Sequence, residues 1–337
     1  MNPVAAGRAA SAPKPKFWRS PAVRLGGSAL VLALLLTFVP FKLVWSAIRS
    51  IPLSLSLGLL GVYMVLHLLG VVKWRLLINL AGANLTFRQS VRCYYGGLFG
   101  NVFLPSLVGG DVVRAGMAFA VSRSRAAIVL GSLIDRIGDV IGLGAVAATG
   151  ALLLPRSLDP QSRKVFLALG VVFAIAGVSG VGILYRMPVR RFPFKVRRIM
   201  VKLRRAGQSM YGRPGRVLLC LFLGVVLQLC QVAINFWLGV ASGLHVAFYV
   251  WLFAWPLAKL SALLPVTQGG IGVREAALVG LLIPFDAPPV LTAAAGLVFE
   301  AITTIGGLIA GIVAFLVGRI SYSQTKPLPA PKSDPSL

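Results

Sequence analysis

Leu104-Pro105-Ser106-Leu107-Val108-Gly109-Gly110-Asp111-Val112-Val113-Arg114 returns later in the chain as Leu264-Pro265-Val266-Thr267-Gln268-Gly269-Gly270-Ile271-Gly272-Val273-Arg274, with the shared skeleton L-P-x-x-x-G-G-x-x-V-R. Each copy lies in a run otherwise apolar enough for a lipid bilayer. Proline removes a helical N–H donor and paired glycines favour a break, so the pattern predicts an interrupted helix at both places. In lipid, an interrupted backbone has to be buried in protein or line a cavity. Two such segments at corresponding places in two halves of a chain point to a transport site between internal repeats.

The rest of the composition agrees with a bilayer. Of 337 residues, 57% are hydrophobic and 12% charged, outside the range of soluble domains, and several runs are long enough to span. The formal charge of +26, from 34 Lys and Arg against 8 acids, implies contact with a polyanion. Because the basic residues cluster between apolar spans, anionic lipid headgroups are the expected partner and nucleic acid is not. Cys93, Cys220 and Cys230 have neither metal nor redox spacing and read as small buried residues, with no disulfide framework. No G-x-x-x-x-G-K-[ST] phosphate loop is present, and His67 and His245 are the only imidazoles, so ATP-driven pumping by this chain and His-based catalysis are disfavoured. No cofactor and no metal are expected.

The expected fold is an all-α polytopic membrane protein of about six full transmembrane helices and two re-entrant broken-helix hairpins, arranged as an inverted repeat. Residues 1–23 form a basic, disordered arm, 24–185 the first half-repeat, 186–216 a basic cytoplasmic linker, 217–318 the second half-repeat and 319–337 a disordered tail. Full spans are predicted over about 24–44, 53–80, 126–154, 165–185, 217–239 and 290–317, with hairpin arms over 88–103, 111–121, 248–264 and 271–283. Lys73, Trp74 and Arg75 read as an interfacial anchor of the second span, and His67 as a core or interfacial residue. The linker holds eleven Lys or Arg and no acid, consistent with an amphipathic helix on anionic headgroups or a solvated connection. With both termini and this linker cytoplasmic, the outer side takes only Lys42, Arg49, Arg156, Arg163 and Lys164, as the positive-inside rule requires of a cell (inner) membrane protein. The first hairpin then opens from the cytoplasm and the second from outside.

A half-helix starting at Gly110-Asp111 or Gly270-Ile271 turns unpaired N–H groups and a positive dipole end inward, which suits an anion such as a lipid phosphate. Asp111 and Arg114 could equally form a cap with an i,i+3 ion pair. Arg274, a cation in a helix's first turn with Glu275 expected to point elsewhere, needs a partner from another element or a ligand. The ionisable set at membrane depth is Asp111, Arg114, Asp135, Arg136, Asp139, Lys259, Arg274, Glu275 and Glu300, four cations against five carboxylates. These residues either neutralise one another or serve a substrate. Asp135, Asp139 and Glu300 are candidates for proton or ion coupling where a carboxylate is left unpaired. The candidate substrate-binding set is Asn101, Ser106, Gly109, Gly110, Asp111, Arg114, Gln268, Gly269, Gly270, Arg274 and Glu275.

Gly100-Asn101-Val102-Phe103-Leu104-Pro105-Ser106 through Gly109-Gly110-Asp111 and Arg114, Asp135-Arg136-Ile137-Gly138, and Leu264-Pro265 through Gly269-Gly270-Ile271-Gly272-Val273-Arg274-Glu275 together resemble the lysylphosphatidylglycerol synthase transmembrane family, also called flippase-like domain proteins. The resemblance covers most of residues 20–320. It implies a multi-spanning domain that moves an amphiphilic lipid between leaflets, in the namesake an aminoacylated phosphatidylglycerol. A stand-alone membrane domain without the soluble aminoacyl-transferring domain, and hence without synthase activity, is expected. The leading expectation is a flippase rather than an enzyme, for a lipid that contains phosphate or is aminoacylated. The alternative is a membrane-embedded transferase acting on a polyprenyl-phosphate or lipid substrate, with Asp111, Asp135 and Asp139 as metal ligands. A scaffold that recruits partners through the linker would explain the charge but not the two breaks. A homo-oligomer or an enzyme of the same pathway is left open as protein partner.

Overall fold

A computed structural model describes residues 41–104, 109–122, 124–154, 201, 212–262 and 272–324. Among these the protein is all-helical. The helices are α1 (Phe41–Ser50), α2 (Leu53–Leu80), α3 (Phe87–Phe103), α4 (Gly109–Val121), α5 (Arg125–Leu153), α6 (Pro214–Ser242), α7 (Phe248–Ser261), α8 (Val273–Leu282) and α9 (Pro289–Gln324), with a 3-10 turn at Ile283–Phe285. Among the described residues, three helices are long and apolar enough to cross a membrane: α2, α6 and, over Pro289–Arg319, α9. The expected spans at 24–44, up to residue 40, and 165–185 lie outside the described residues. So do both ends of the chain and most of the 186–216 linker.

Local chemistry sets the element ends. Pro52 in extended conformation precedes α2 and Pro214 occupies the first turn of α6, where its missing N–H costs nothing. Asn79 then fixes the turn after α2 by donating to the Leu85 carbonyl and accepting from the Leu85 N–H, at 2.9 and 2.8 Å. Thr86 and Gln89 close a reciprocal capping box on α3. At the other end of α6, Gly243 takes φ +96° and the Leu244 N–H reaches back to Gly239 O, a glycine-terminated helix end.

The helix is interrupted at both sequence copies. In the first, α3 stops at Phe103 and α4 resumes at Gly109; in the second, α7 stops at Ser261 and α8 resumes at Val273. At about 1.5 Å per residue none of these four arms alone covers the roughly 30 Å of a hydrocarbon core. Within each copy the arms pack on each other, α3 on α4 and α7 on α8. Packing is also exchanged between halves, with α5 lying on α7 and α9 lying on α3. The long helices α2 and α6 pack together between them.

Glycines set these crossings. A Cβ on Gly150 of α5 would stand 2.5 Å from Phe253 N and 2.7 Å from Leu252 C on α7. On α9, Gly307 and Gly311 face Val102 and Phe99 of α3 with no room for a side chain. The core between the halves joins Leu59, Tyr63, Val146 and Ala151 of the first to Val232, Trp251, Phe253 and Phe299 of the second, and a second cluster surrounds Trp74, Ile78, Leu85 and Ile128. Leu218, Phe222 and Trp237 of α6 and Ile312 and Phe315 of α9 stay exposed, as lipid-facing residues do.

The structure corrects one sequence expectation about α2 and adds one helix. Lys73 and Trp74 do not anchor at an interface: they are 4% and 0% exposed, because their face of α2 turns onto α5 and not outward. Helix α1 was not anticipated, and Val44 and Ala47 on its inner face pack around Ala294 of α9.

Candidate functional site

Helix ends flanking both interruptions line one cavity of about 400 Å³, through Asn101, Gly110, Ala262 and Arg274 among others. Of the sequence-predicted residues, Asn101, Gly110, Asp111, Arg114, Asp135, Asp139, Arg274 and Glu300 line it. Glu275 sits just behind, 1% exposed, and Gly109 packs against Leu104. Ser106, Gln268, Gly269 and Gly270 lie outside the described residues.

The first interruption is closed by its own preceding arm. Asn101 of α3 accepts the Gly110 N–H at 2.8 Å, so the start of α4 is capped from across the hairpin. The approach is close enough that a Cβ on Gly110 would collide with the Asn101 side chain and the Gly97 carbonyl. Asp111 lies in the first turn, where a carboxylate complements the helix dipole. The i,i+3 pair forms, with Arg114 Nη2 2.9 Å from Asp111 Oδ1.

That pair belongs to a six-residue network. Arg114 also reaches Asp135 Oδ2 at 3.4 Å, and its guanidinium lies over Trp74 and Tyr94, 4.9 and 5.1 Å from the ring centres. Lys73 of α2 is ion-paired with both Asp135, at 3.0 Å, and Asp139. The 100° step along α5 turns Arg136 away from that pair, and Arg136 meets Asp111 instead. Three cations thus face three carboxylates. Trp74 Nε1, donating to Ser132 Oγ at 3.1 Å, ties α2 to α5 beside them.

The second interruption is closed differently. Gly272 takes φ +84° and its N–H donates to Glu275 Oε2 at 2.7 Å, so the helix caps itself from its own first turn. This overturns the expectation that Glu275 points away from Arg274. With one oxygen on Gly272, its other oxygen faces the guanidinium, at 2.6 Å from Arg274 Nη2. The same Nη2 lies 2.6 Å from Glu300 Oε2 of α9. Trp255 and Phe299, in edge-to-face contact with each other, both lie against the guanidinium, with ring centres 5.3 and 5.1 Å from it.

Several lining residues were not singled out as site residues from sequence. Lys73 is one, and its signal was arithmetic: five carboxylates at depth against four cations left one unmatched. Lys259 of α7 is another. Its ammonium donates to Gln228 Oε1 at 2.9 Å and to Gln231 Oε1, both on α6, and no described carboxylate is within ion-pair distance. His67 packs edge-on against Tyr63, with ring centres 4.3 Å apart, also on the cavity wall. No periodicity marks Gln228 or Gln231 in a run as apolar as 214–242.

The unpaired condition for proton or ion coupling is not met at Asp135, Asp139 or Glu300, each of which has a cationic partner. Among the described residues no three carboxylate, imidazole or thiolate groups converge as metal ligands.

Long apolar helices, interrupted helices between them and a charged internal cavity define an integral, multi-pass membrane protein. The chain belongs to the family described as the lysylphosphatidylglycerol synthase TM region, whose model matches residues 22–311. It is also similar to a UPF0104 membrane protein of Methanothermobacter thermautotrophicus, with 22% identity over 251 residues, covering 64% of this chain and 70% of that protein.

Proposed function

We propose that the cavity receives the polar headgroup of an amphiphilic lipid, one that contains phosphate or is aminoacylated, and passes it between leaflets. The observation that carries this reading is the cavity itself, a space of about 400 Å³ lined by charged side chains from helix ends on either side of the two interruptions. A headgroup needs such a path because moving its charges through hydrocarbon is costly.

The architecture that serves this function is an inverted repeat of six full spans with two re-entrant hairpins. Its support is the reciprocal packing of α5 on α7 and α9 on α3 around the α2–α6 pair, the exchange a two-fold arrangement requires. Both termini face the cytoplasm of a cell (inner) membrane, and a second copy or a pathway enzyme is the expected partner. The transferase alternative draws no support from Asp111, Asp135 and Asp139, since each is ion-paired with Arg114, Arg136 or Lys73.

Reconstitution of the purified protein into metal-free vesicles with a panel of labelled lipids tests the reading. Protein-dependent movement of at least one headgroup between leaflets is expected. Failure across the panel, with metal-dependent turnover of a polyprenyl-phosphate donor, would overturn it in favour of the transferase.

A further inference from the structure

Five of the chain's eight acids, Asp111, Asp135, Asp139, Glu275 and Glu300, gather at the cavity, and each is ion-paired. Four cations, Lys73, Arg114, Arg136 and Arg274, account for all of those pairs. Among the described residues, Lys259 remains as a cavity-lining cation held by neutral amide oxygens and by no carboxylate. An ammonium has three donors, and two are spent on Gln228 and Gln231. Glutamine oxygens orient the charge without neutralising it.

A second unsatisfied donor stands one helical turn away. Trp255 precedes Lys259 by four positions on α7, which puts both on one face, and both line the cavity. The Trp255 indole N–H is buried and has no hydrogen-bond partner among the described residues, with the residue 1% exposed. A buried indole usually finds an acceptor, so its lack here marks a place for a ligand oxygen. A cation free of carboxylates beside an unused neutral donor suits an acceptor that is anionic and has several oxygens. Arg274, whose fork could have served, is committed to Glu275 and Glu300.

We propose that Lys259 and the Trp255 indole N–H form a phosphate-binding subsite, with Gln228 and Gln231 positioning the ammonium. The proposal rests on the headgroup reading of the cavity and names the group it grips first: a phosphodiester. Contact with Lys259 supplies the charge that desolvation of the phosphate demands.

The test measures binding to the purified full chain in a non-ionic, phosphate-free detergent solution, with three probes. These are dihexanoylphosphatidylglycerol, dihexanoylglycerol, which lacks the phosphate, and inorganic phosphate. The phospholipid is expected to bind and dihexanoylglycerol not to. Lys259→Gln should weaken the phospholipid about tenfold or more, the loss of one charge-assisted hydrogen bond, while Lys259→Arg stays within about threefold. Gln231→Glu is the sharper variant, since it gives Lys259 an internal counter-ion. It should weaken binding as much as Lys259→Gln while the protein melts no lower than the parent. Trp255→Phe, which keeps the ring against Arg274 and Phe299, should weaken binding severalfold. Inorganic phosphate binding as tightly as the lipid, and depending on Lys259, would support the subsite with free phosphate as its source. Unchanged phospholipid binding in Lys259→Gln and Gln231→Glu, equal binding of dihexanoylglycerol, or no binding of any probe would overturn the subsite. Lipid movement in vesicles that ignores Lys259 would overturn it too and leave the translocation reading intact. Lys259-dependent binding with no movement of any lipid would do the reverse.

Discussion

Arg274 Nη2 sits 2.6 Å from both Glu275 Oε1 and Glu300 Oε2, so one guanidinium joins the first turn of α8 to the middle of α9. Its side chain is 12% exposed and that of Glu275 is fully enclosed. Coulomb attraction has to offset the desolvation of three charges here, and the aromatic faces of Trp255 and Phe299 contribute to the cation's side of that balance.

Removing the cation is therefore expected to harm folding before it harms any substrate step. Arg274→Gln leaves two carboxylates facing each other and should cost on the order of 3–5 kcal/mol. Arg274→Lys keeps the charge but not the fork, and should fall between the parent and Arg274→Gln. Glu300→Gln should be milder, because Glu300 is 22% exposed on its side chain and Arg274 retains Glu275. Melting curves of the purified variants give the ranking. A melting temperature unchanged in Arg274→Gln would show that the pair contributes nothing to stability.

Lys73 supports the equivalent place in the first half. With Lys73→Met, Asp135 keeps only Arg114 and Asp139 loses its one ion-pair partner among the described residues. A loss of about 3–5 kcal/mol is expected. Adding Asp139→Asn should recover part of it, with a coupling of roughly 0.5–3 kcal/mol in the double-mutant cycle. Strict additivity of the two changes would count against the ion pair.

Much of this architecture was legible in the sequence. The second span was placed at 53–80 and α2 is Leu53–Leu80, because a mostly apolar run bounded by Pro52 and Gly82, with no proline inside it, leaves little choice. Asp135 and Asp139 stand four positions apart, a spacing that by helical periodicity puts them on one face of α5, and both meet Lys73. Lys73 itself was misread. A basic residue near the end of a long span usually snorkels to the interface, and only the tertiary contact of α2 with α5 shows that this face points inward. Glu275 was misread for a related reason. Adjacent side chains diverge on an ideal helix, but the φ +84° entry at Gly272 draws Glu275 back over the helix start and into reach of Arg274.

Helix crossings give a third expectation. Gly150→Ala places a methyl group against the Phe253 amide nitrogen, a backbone atom that cannot rotate away, so α5 and α7 have to separate. The overpacking cost should be about 1–3 kcal/mol. Gly58→Ala, on α2 with nothing within 4 Å, should be neutral or slightly stabilising. Thermal melting of the two variants side by side checks the contrast, and equal behaviour would deny the close α5–α7 contact.

The two interruptions are capped by different devices, and this separates their variants. At the first, Asn101 reaches across the hairpin to the Gly110 N–H, so Asn101→Ala removes a cap and a link between α3 and α4 at once. About 1 kcal/mol of stability should go, the usual cost of a lost cap. Asn101→Asp keeps an acceptor for Gly110 but sets a second carboxylate near Asp111, and Arg114 and Arg136 are the cations on hand to offset it. It should recover more stability than Asn101→Ala and respond more steeply to salt. At the second interruption the cap and the ion pair share Glu275. Glu275→Gln retains an oxygen for the Gly272 N–H and loses only the charge facing Arg274, whereas Glu275→Ala loses both. Glu275→Ala should therefore melt well below Glu275→Gln. No gap between these two, alongside a clear loss for Asn101→Ala, would mean that the second half-helix is held by the Arg274–Glu300 pair alone and that its N-terminal N–H needs no cap.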